Sequence, residues 1–159
     1  MKTPTIYLDT SVVSHLDAPD VPEKMSDTLT LWEQIKQGKF KAIISDITIA
    51  EIEKCDEPKK SILYDFLSQV DIIRADETGE SLELAQKYIQ YGALKEKSRD
   101  DCRHIGLATT EDSDYIVSWK FKHFVNVKVI DRVQAINKLH GYKEIRIISP
   151  PMLGGSDDE

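Results

Sequence analysis

The sequence predicts an α/β fold, a three-layer α/β/α sandwich with a mostly parallel central sheet. Two observations carry this. Short apolar runs rich in Ile, Val and Leu alternate with longer stretches of helical periodicity. Repeated strand–helix units of this kind pack as a parallel sheet with helices on both faces.

The elements follow in order. Thr5-Ile-Tyr-Leu8 reads as a buried first strand ending at Asp9. Pro22 suits a first helical turn, Met25, Leu29, Leu31, Trp32 and Ile35 recur at broadly helical spacing, and Gly38 stops the helix. Lys41–Ile44 is the second strand. Thr48–Cys55 is the next helix, and Pro58 opens another through Leu63, Phe66 and Leu67. Val70–Ile73 is the third strand, Gly79–Tyr91 and Arg99–Thr110 are helices, and Tyr115–Ser118 is the fourth strand. Phe124–His140 reads as helix closed by Gly141, and Glu144–Ile148 as a last strand stopped by Pro150-Pro151. The expected organisation is one domain over residues 1–151 and an acidic C-terminal tail over 152–159.

Composition excludes several classes. No apolar run approaches the ~20 residues that span a bilayer, so no membrane partner is expected, and the start lacks the pattern of a signal peptide. Cys55 and Cys102 lie far apart without metal-ligand spacing, which suits reduced thiols in a cytoplasmic protein. The net charge of −7 argues against a protein that simply coats nucleic acid. The charge is uneven, however. From Tyr115 to Ile148 there are seven Lys/Arg (Lys120, Lys122, Lys128, Arg132, Lys138, Lys143 and Arg146) against two acids. An acidic part beside a basic part suits a site that binds cations and also meets a phosphate backbone.

Three acids stand out by position. Asp9 ends the first strand, Glu51 lies in the first turn of the helix after the second strand, and Asp101 starts the helix before the fourth strand. Each alone has a structural explanation as a cap or as a dipole partner; Thr48-x-x-Glu51 matches a capping box, and Ser98-x-x-Asp101 nearly does. Together they map to strand ends and first helical turns, which converge at one sheet edge where such folds bind ligands. Asp101, Ile105 and Ala108 share one helix face, so Asp101 should turn inward. Carboxylates held together are costly unless a cation neutralises them. Oxygen-only ligands suit Mg²⁺ or Mn²⁺, and the Cys/His set of zinc is missing.

At this point the residues resemble a known family. Leu-Asp9-Thr-Ser11, Ile-Thr48-Ile-Ala-Glu51-Ile, Asp101-x-x-His104-Ile-x-x-Ala108 and Asp114-Tyr-Ile-Val-Ser118 are similar, in order and spacing, to the successive motifs of the PIN domain. The resemblance runs from Thr5 to about Pro151. It implies a metal-dependent endoribonuclease, with Asp9, Glu51 and Asp101 as catalytic, metal-binding acids and Ser11 as a helper near the metal water. It also implies in-line attack that leaves a 5′-phosphate and a 3′-hydroxyl. VapC-type toxins of toxin–antitoxin pairs belong to this family, so a small antitoxin partner and a homodimer are further expectations by resemblance.

One position departs from the pattern. Many PIN domains carry an acid two residues after the Ser/Thr that ends the fourth strand; Ser118-Trp119-Lys120 puts a lysine there. Ser118 and Asp100 are then auxiliary candidates, and Asp114 is either a compensating acid or a turn residue. Lys120, Lys122 and His123 are candidates for contact with RNA, and Asn126 for RNA or a helix cap. His104 could approach the site or simply be packed, and Trp119 could stack on a base or pack beneath its loop. The lysine leaves open a catalytically weakened PIN domain acting as an RNA- or protein-binding module. A signalling receiver domain would need a pair of acids where only Asp9 stands, and a haloacid-type phosphatase would need Asp-x-Asp where Asp9-Thr-Ser11 stands.

Overall fold

The computed structural model describes residues 2–120 and 126–153. Five strands, β1 (Thr5–Leu8), β2 (Lys41–Ser45), β3 (Ile72–Ala75), β4 (Tyr115–Val117) and β5 (Arg146–Ile148), form one sheet in the order β3-β2-β1-β4-β5. Every neighbouring pair is parallel. The helices are α1 (Thr10–Ser14), α2 (Pro22–Lys36), α3 (Asp46–Glu53), α4 (Lys59–Ser68), α5 (Gly79–Gln90), α6 (Arg99–Thr110), α7 (Val127–Leu139) and α8 (Pro150–Leu153).

The pleat sorts the core into two layers, because successive strand side chains point to opposite faces. Tyr7, Ile43, Ile116 and Ile147 face a layer built with Leu84, Ala85 and Tyr88 of α5, Ile105 and Ala108 of α6, and Val133 and Ile136 of α7. Ile6, Leu8, Ile44, Val117 and Ile148 face the other, built with Val12 of α1, Leu31 and Trp32 of α2, and Leu63 of α4. This is the three-layer α/β/α sandwich that the sequence predicts.

Several boundaries differ from expectation for identifiable reasons. β3 starts at Ile72, not Val70, because the register with β2 runs from Ala42↔Ile72 to Ser45↔Ala75. As an edge strand it leaves Ile73 and Arg74 exposed, so hydrophobicity marks its span poorly. α3 starts at Asp46 because the Ser45 hydroxyl accepts from the Thr48 N–H at 3.1 Å. That bond replaces the anticipated Thr48–Glu51 box, and Ser98 likewise makes no capping bond at α6. The sequence anticipates the short α1 only as a helix that Asp9 could cap, and Asp9 Oδ1 does accept from Val12 N–H at 3.3 Å. Asn126 caps α7 through Val129 N–H at 3.0 Å. Past Pro150 the chain makes the turn α8, with Leu153 against the core; Ser156–Glu159 lie outside the described residues. Among the described residues no helix is long and apolar enough to cross a membrane. Cys55 and Cys102 are both free thiols.

What positions the site is the topology. The chain runs outward from β1 through β2 to β3, then returns to lay β4 on the other side of β1. The strand order therefore reverses between β1 and β4. Parallel sheets open a crevice at such a switch point, beyond the carboxyl ends of the strands.

Candidate functional site

Asp9 and Ser118 are the residues that leave β1 and β4, so they flank that switch point. Asp9 is fully buried, with no exposed surface. Its carboxylate accepts from Ser11 Oγ at 2.5 Å, from Ser118 Oγ at 2.8 Å and from the Val12 N–H. Each serine in turn accepts a backbone N–H: Trp119 donates to Ser11 and Lys120 to Ser118, both at 2.9 Å. The loop leaving β4 is thus tied to Asp9 through two hydroxyls. Burial raises the Asp9 pKa above the usual carboxylate value; the two serines, Lys120 and the helix N–H oppose it.

Asp101 opens α6 and is turned inward, as its shared face with Ile105 and Ala108 predicts; it is 5% exposed. Lys120 Nζ lies 2.7 Å from its Oδ1. Burial alone would lower the Lys120 pKa, but the bond to Asp101 and the fields of Asp101, Asp9 and Asp100 hold it above the ordinary lysine value. The ammonium is therefore bonded to Asp101 and lies in the field of Asp9. Glu51 stands on the wall of a cleft of about 360 Å³, which Thr10, Ser11, Asp100, His104 and Lys120 also line. Asp100 points outward, its side chain 67% exposed and paired with Arg103 at 3.0 Å.

His104 is packed and neutral. Its Nδ1 meets the Tyr7 hydroxyl at 2.7 Å and its Nε2 meets Thr10 Oγ1 at 3.3 Å. Burial and the positive charges of Lys120 and Arg103 push its pKa down to about 3. Trp119 is buried, its Nε1 donating to Thr28 Oγ1 at 3.0 Å. Asp114 sits at the opposite end of the sheet, where it accepts from Thr5 N–H at 2.8 Å and pairs with Lys143; it is a turn residue and cannot compensate at the cleft. Lys122 and His123 lie outside the described residues. The sequence reading missed Thr10, Tyr7 and His15. Thr10 sits inside the Asp9-Thr-Ser11 motif, which was a usable signal; His15, whose Nδ1 meets Ser11 O at 2.6 Å, carried none.

A hard divalent ion can be tested against these groups. The donors are oxygens throughout, since both His104 nitrogens are engaged, and oxygens suit Mg²⁺ or Mn²⁺. Lys120 is a stand-in cation, in contact with Asp101 and in the field of Asp9. The set therefore fits such an ion in its chemistry. Its present arrangement is one built around an ammonium: among the described residues no three acidic, histidine or cysteine side chains stand close enough to share a metal. A larger hollow of about 570 Å³ lies at the other end of the strands, beside Thr3, Lys41 and Asp71, and gathers no comparable pair of acids.

The chain matches no family model, and no curated protein matches it. Solved structures do match its fold. In the crystal structure of VapBC2 from Rickettsia felis bound to a DNA fragment from their promoter, one chain is 17% identical to this protein, with a TM-score of 0.56. The match covers 91% of this chain and 98% of that one. At that identity the likeness establishes the shared α/β architecture over nearly the whole length of both chains.

Proposed function

We propose that this protein is a PIN-type endoribonuclease that hydrolyses RNA phosphodiesters at the cleft beyond β1 and β4. The observation that carries this reading is the clamped, buried Asp9 at the switch point, in the field of a cation that is itself bonded to the buried Asp101. Asp9, Glu51 and Asp101 would hold Mg²⁺ or Mn²⁺, which when bound supplies an activated water and polarises a phosphate oxygen. The chain's own contribution is orientation. Ser11 and Ser118 fix the Asp9 carboxylate, and the neutral His104 braces Thr10 at the cleft wall. Lys120, with Lys122 and His123, meets the RNA backbone.

The likeness to a VapBC2 chain supports a toxin role with a small antitoxin partner, and the resemblance adds a homodimer. Residues 1–151 would be the PIN-like domain and 152–159 its acidic tail. Free cysteines suit a reducing, cytoplasmic setting.

The test is Mn²⁺-dependent cleavage of RNA by purified protein, with Asp9→Asn as control. Because even outer-sphere partners of a metal ligand are worth about 10–100-fold, Asp9→Asn should lose roughly 100-fold or more. Full activity in that variant refutes the assignment. A second reading, a weakened PIN domain that binds RNA or protein, is favoured by the Lys120–Asp101 ion pair. Cleavage that disappears in Asp101→Ala excludes it.

A further inference from the structure

We propose that Lys120 is a built-in competitor for the divalent ion: its ammonium, bonded to Asp101 and in the field of Asp9, takes the place of a cation there, and a metal binds only by displacing it. This rests on the reading of the cleft as a cation site. The lysine is fixed at both ends. Its backbone N–H donates to Ser118 Oγ, which itself donates to Asp9, and its Nζ reaches Asp101 at 2.7 Å. One residue therefore links the two buried acids, to Asp9 through its backbone and Ser118 and to Asp101 through its ammonium.

The pair is not an ordinary surface contact, which would be worth little. The Asp101 side chain is 8% exposed, and a buried carboxylate is costly unless a positive charge accompanies it. Lys120 supplies that charge. Two cations do not share one carboxylate pocket without repulsion, so the ammonium and a divalent ion exclude each other. Exclusion is also reversible. The Lys120 side chain is 37% exposed on a flexible four-carbon stem, so it can withdraw toward solvent.

The experiment is Mn²⁺ titration of the whole protein, followed by electron paramagnetic resonance and calorimetry, for the wild type, Lys120→Met and Lys120→Arg. Lys120→Met should bind Mn²⁺ at least about tenfold more tightly, which corresponds to about 1.4 kcal/mol of competing attraction removed. Lys120→Arg should bind as weakly as the wild type. Adding Asp101→Asn to Lys120→Met should cancel the gain. If Lys120→Met fails to melt cooperatively, Lys120→Gln is read by the same criterion, because its amide can still donate to Asp101. Wild type and variant of equal affinity overturn the competition while leaving the cation site intact. No Mn²⁺ binding in any variant, together with no cleavage, overturns both the competition and the nuclease reading.

Discussion

Asp9 and His104 are both buried ionisable residues, and burial acts on them in opposite senses. His104 has its pKa lowered to about 3, against an ordinary value near 6.5. Between those values the unfolded chain takes up a proton that the folded chain refuses. Stability therefore falls as pH drops below about 6.5, by up to about 1.4 kcal/mol per pH unit. Asp9 has its pKa raised by burial, so its contribution is present at low pH and is lost as pH rises through its folded value. The two overlap in the wild type, but the difference from a His104→Gln variant isolates one of them. In urea unfolding between pH 7 and about pH 5, the wild type should lose about 2 kcal/mol more than His104→Gln. Parallel losses would mean that the imidazole is protonated inside the fold. Asp9→Asn should also fold, because Asn caps a helix about as well as Asp and the Ser118 hydroxyl can turn to accept from the amide. At this scale the sequence was informative about single residues but not about pairs. Asp9, Ser11, Ser118 and Asp101 could be placed from their motifs. That Lys120 would bond Asp101 depends on a long side chain folding back across the cleft, which no local pattern encodes.

α6 is the element that delivers Asp101 and His104, and its position depends on close contact with α5. A Cβ added at Gly106 would lie 2.7 Å from the Ser81 carbonyl oxygen and 3.2 Å from the Ala85 nitrogen, both backbone atoms. Alanine would gain up to about 1 kcal/mol in helix propensity. The contact with backbone cannot be relieved by turning a side chain, so overpacking should win, at about 1–3 kcal/mol. Gly106→Ala should thus lower the urea midpoint with little change in slope, and a variant as stable as wild type would show that the two helices can separate freely. The helices and strands themselves were readable because their apolar periodicity and their caps are local. α1 was not delimited, since five residues are too few to show a period, and β3 slipped by two residues because register with β2 sets its ends. The capping box expected at Thr48 lost to Ser45, three residues earlier at the end of β2, whose hydroxyl receives the Thr48 N–H.

Across the whole molecule, the seven Lys/Arg between Tyr115 and Ile148 suggested a basic half, and the fold disperses several of them. Lys143 pairs with Asp112 and Asp114, and Arg146 lies over the Tyr115 ring, at the end of the sheet opposite the cleft. Arg132 donates to the Gly92 carbonyl. Sequence proximity gave the charge count, while strand direction decided which end of the sheet each charge occupies. Among the described residues of this set Lys120 lines the cleft, on a chain of net charge −7, so only a few phosphates can be neutralised there. For single-stranded nucleic acid, log K falls with log salt at about −0.7 per phosphate neutralised. With two or three contacts the slope for a cleavage-resistant single-stranded RNA analogue, measured by fluorescence anisotropy in saturating Mn²⁺ so that Lys120 is displaced from Asp101, should lie between roughly −1.4 and −2.1. Lys120→Met should make it shallower by about 0.7. That small change carries the weight: a slope unaltered in Lys120→Met would place the RNA away from the cleft even if the total were right. A slope near zero would remove the phosphate backbone from recognition altogether.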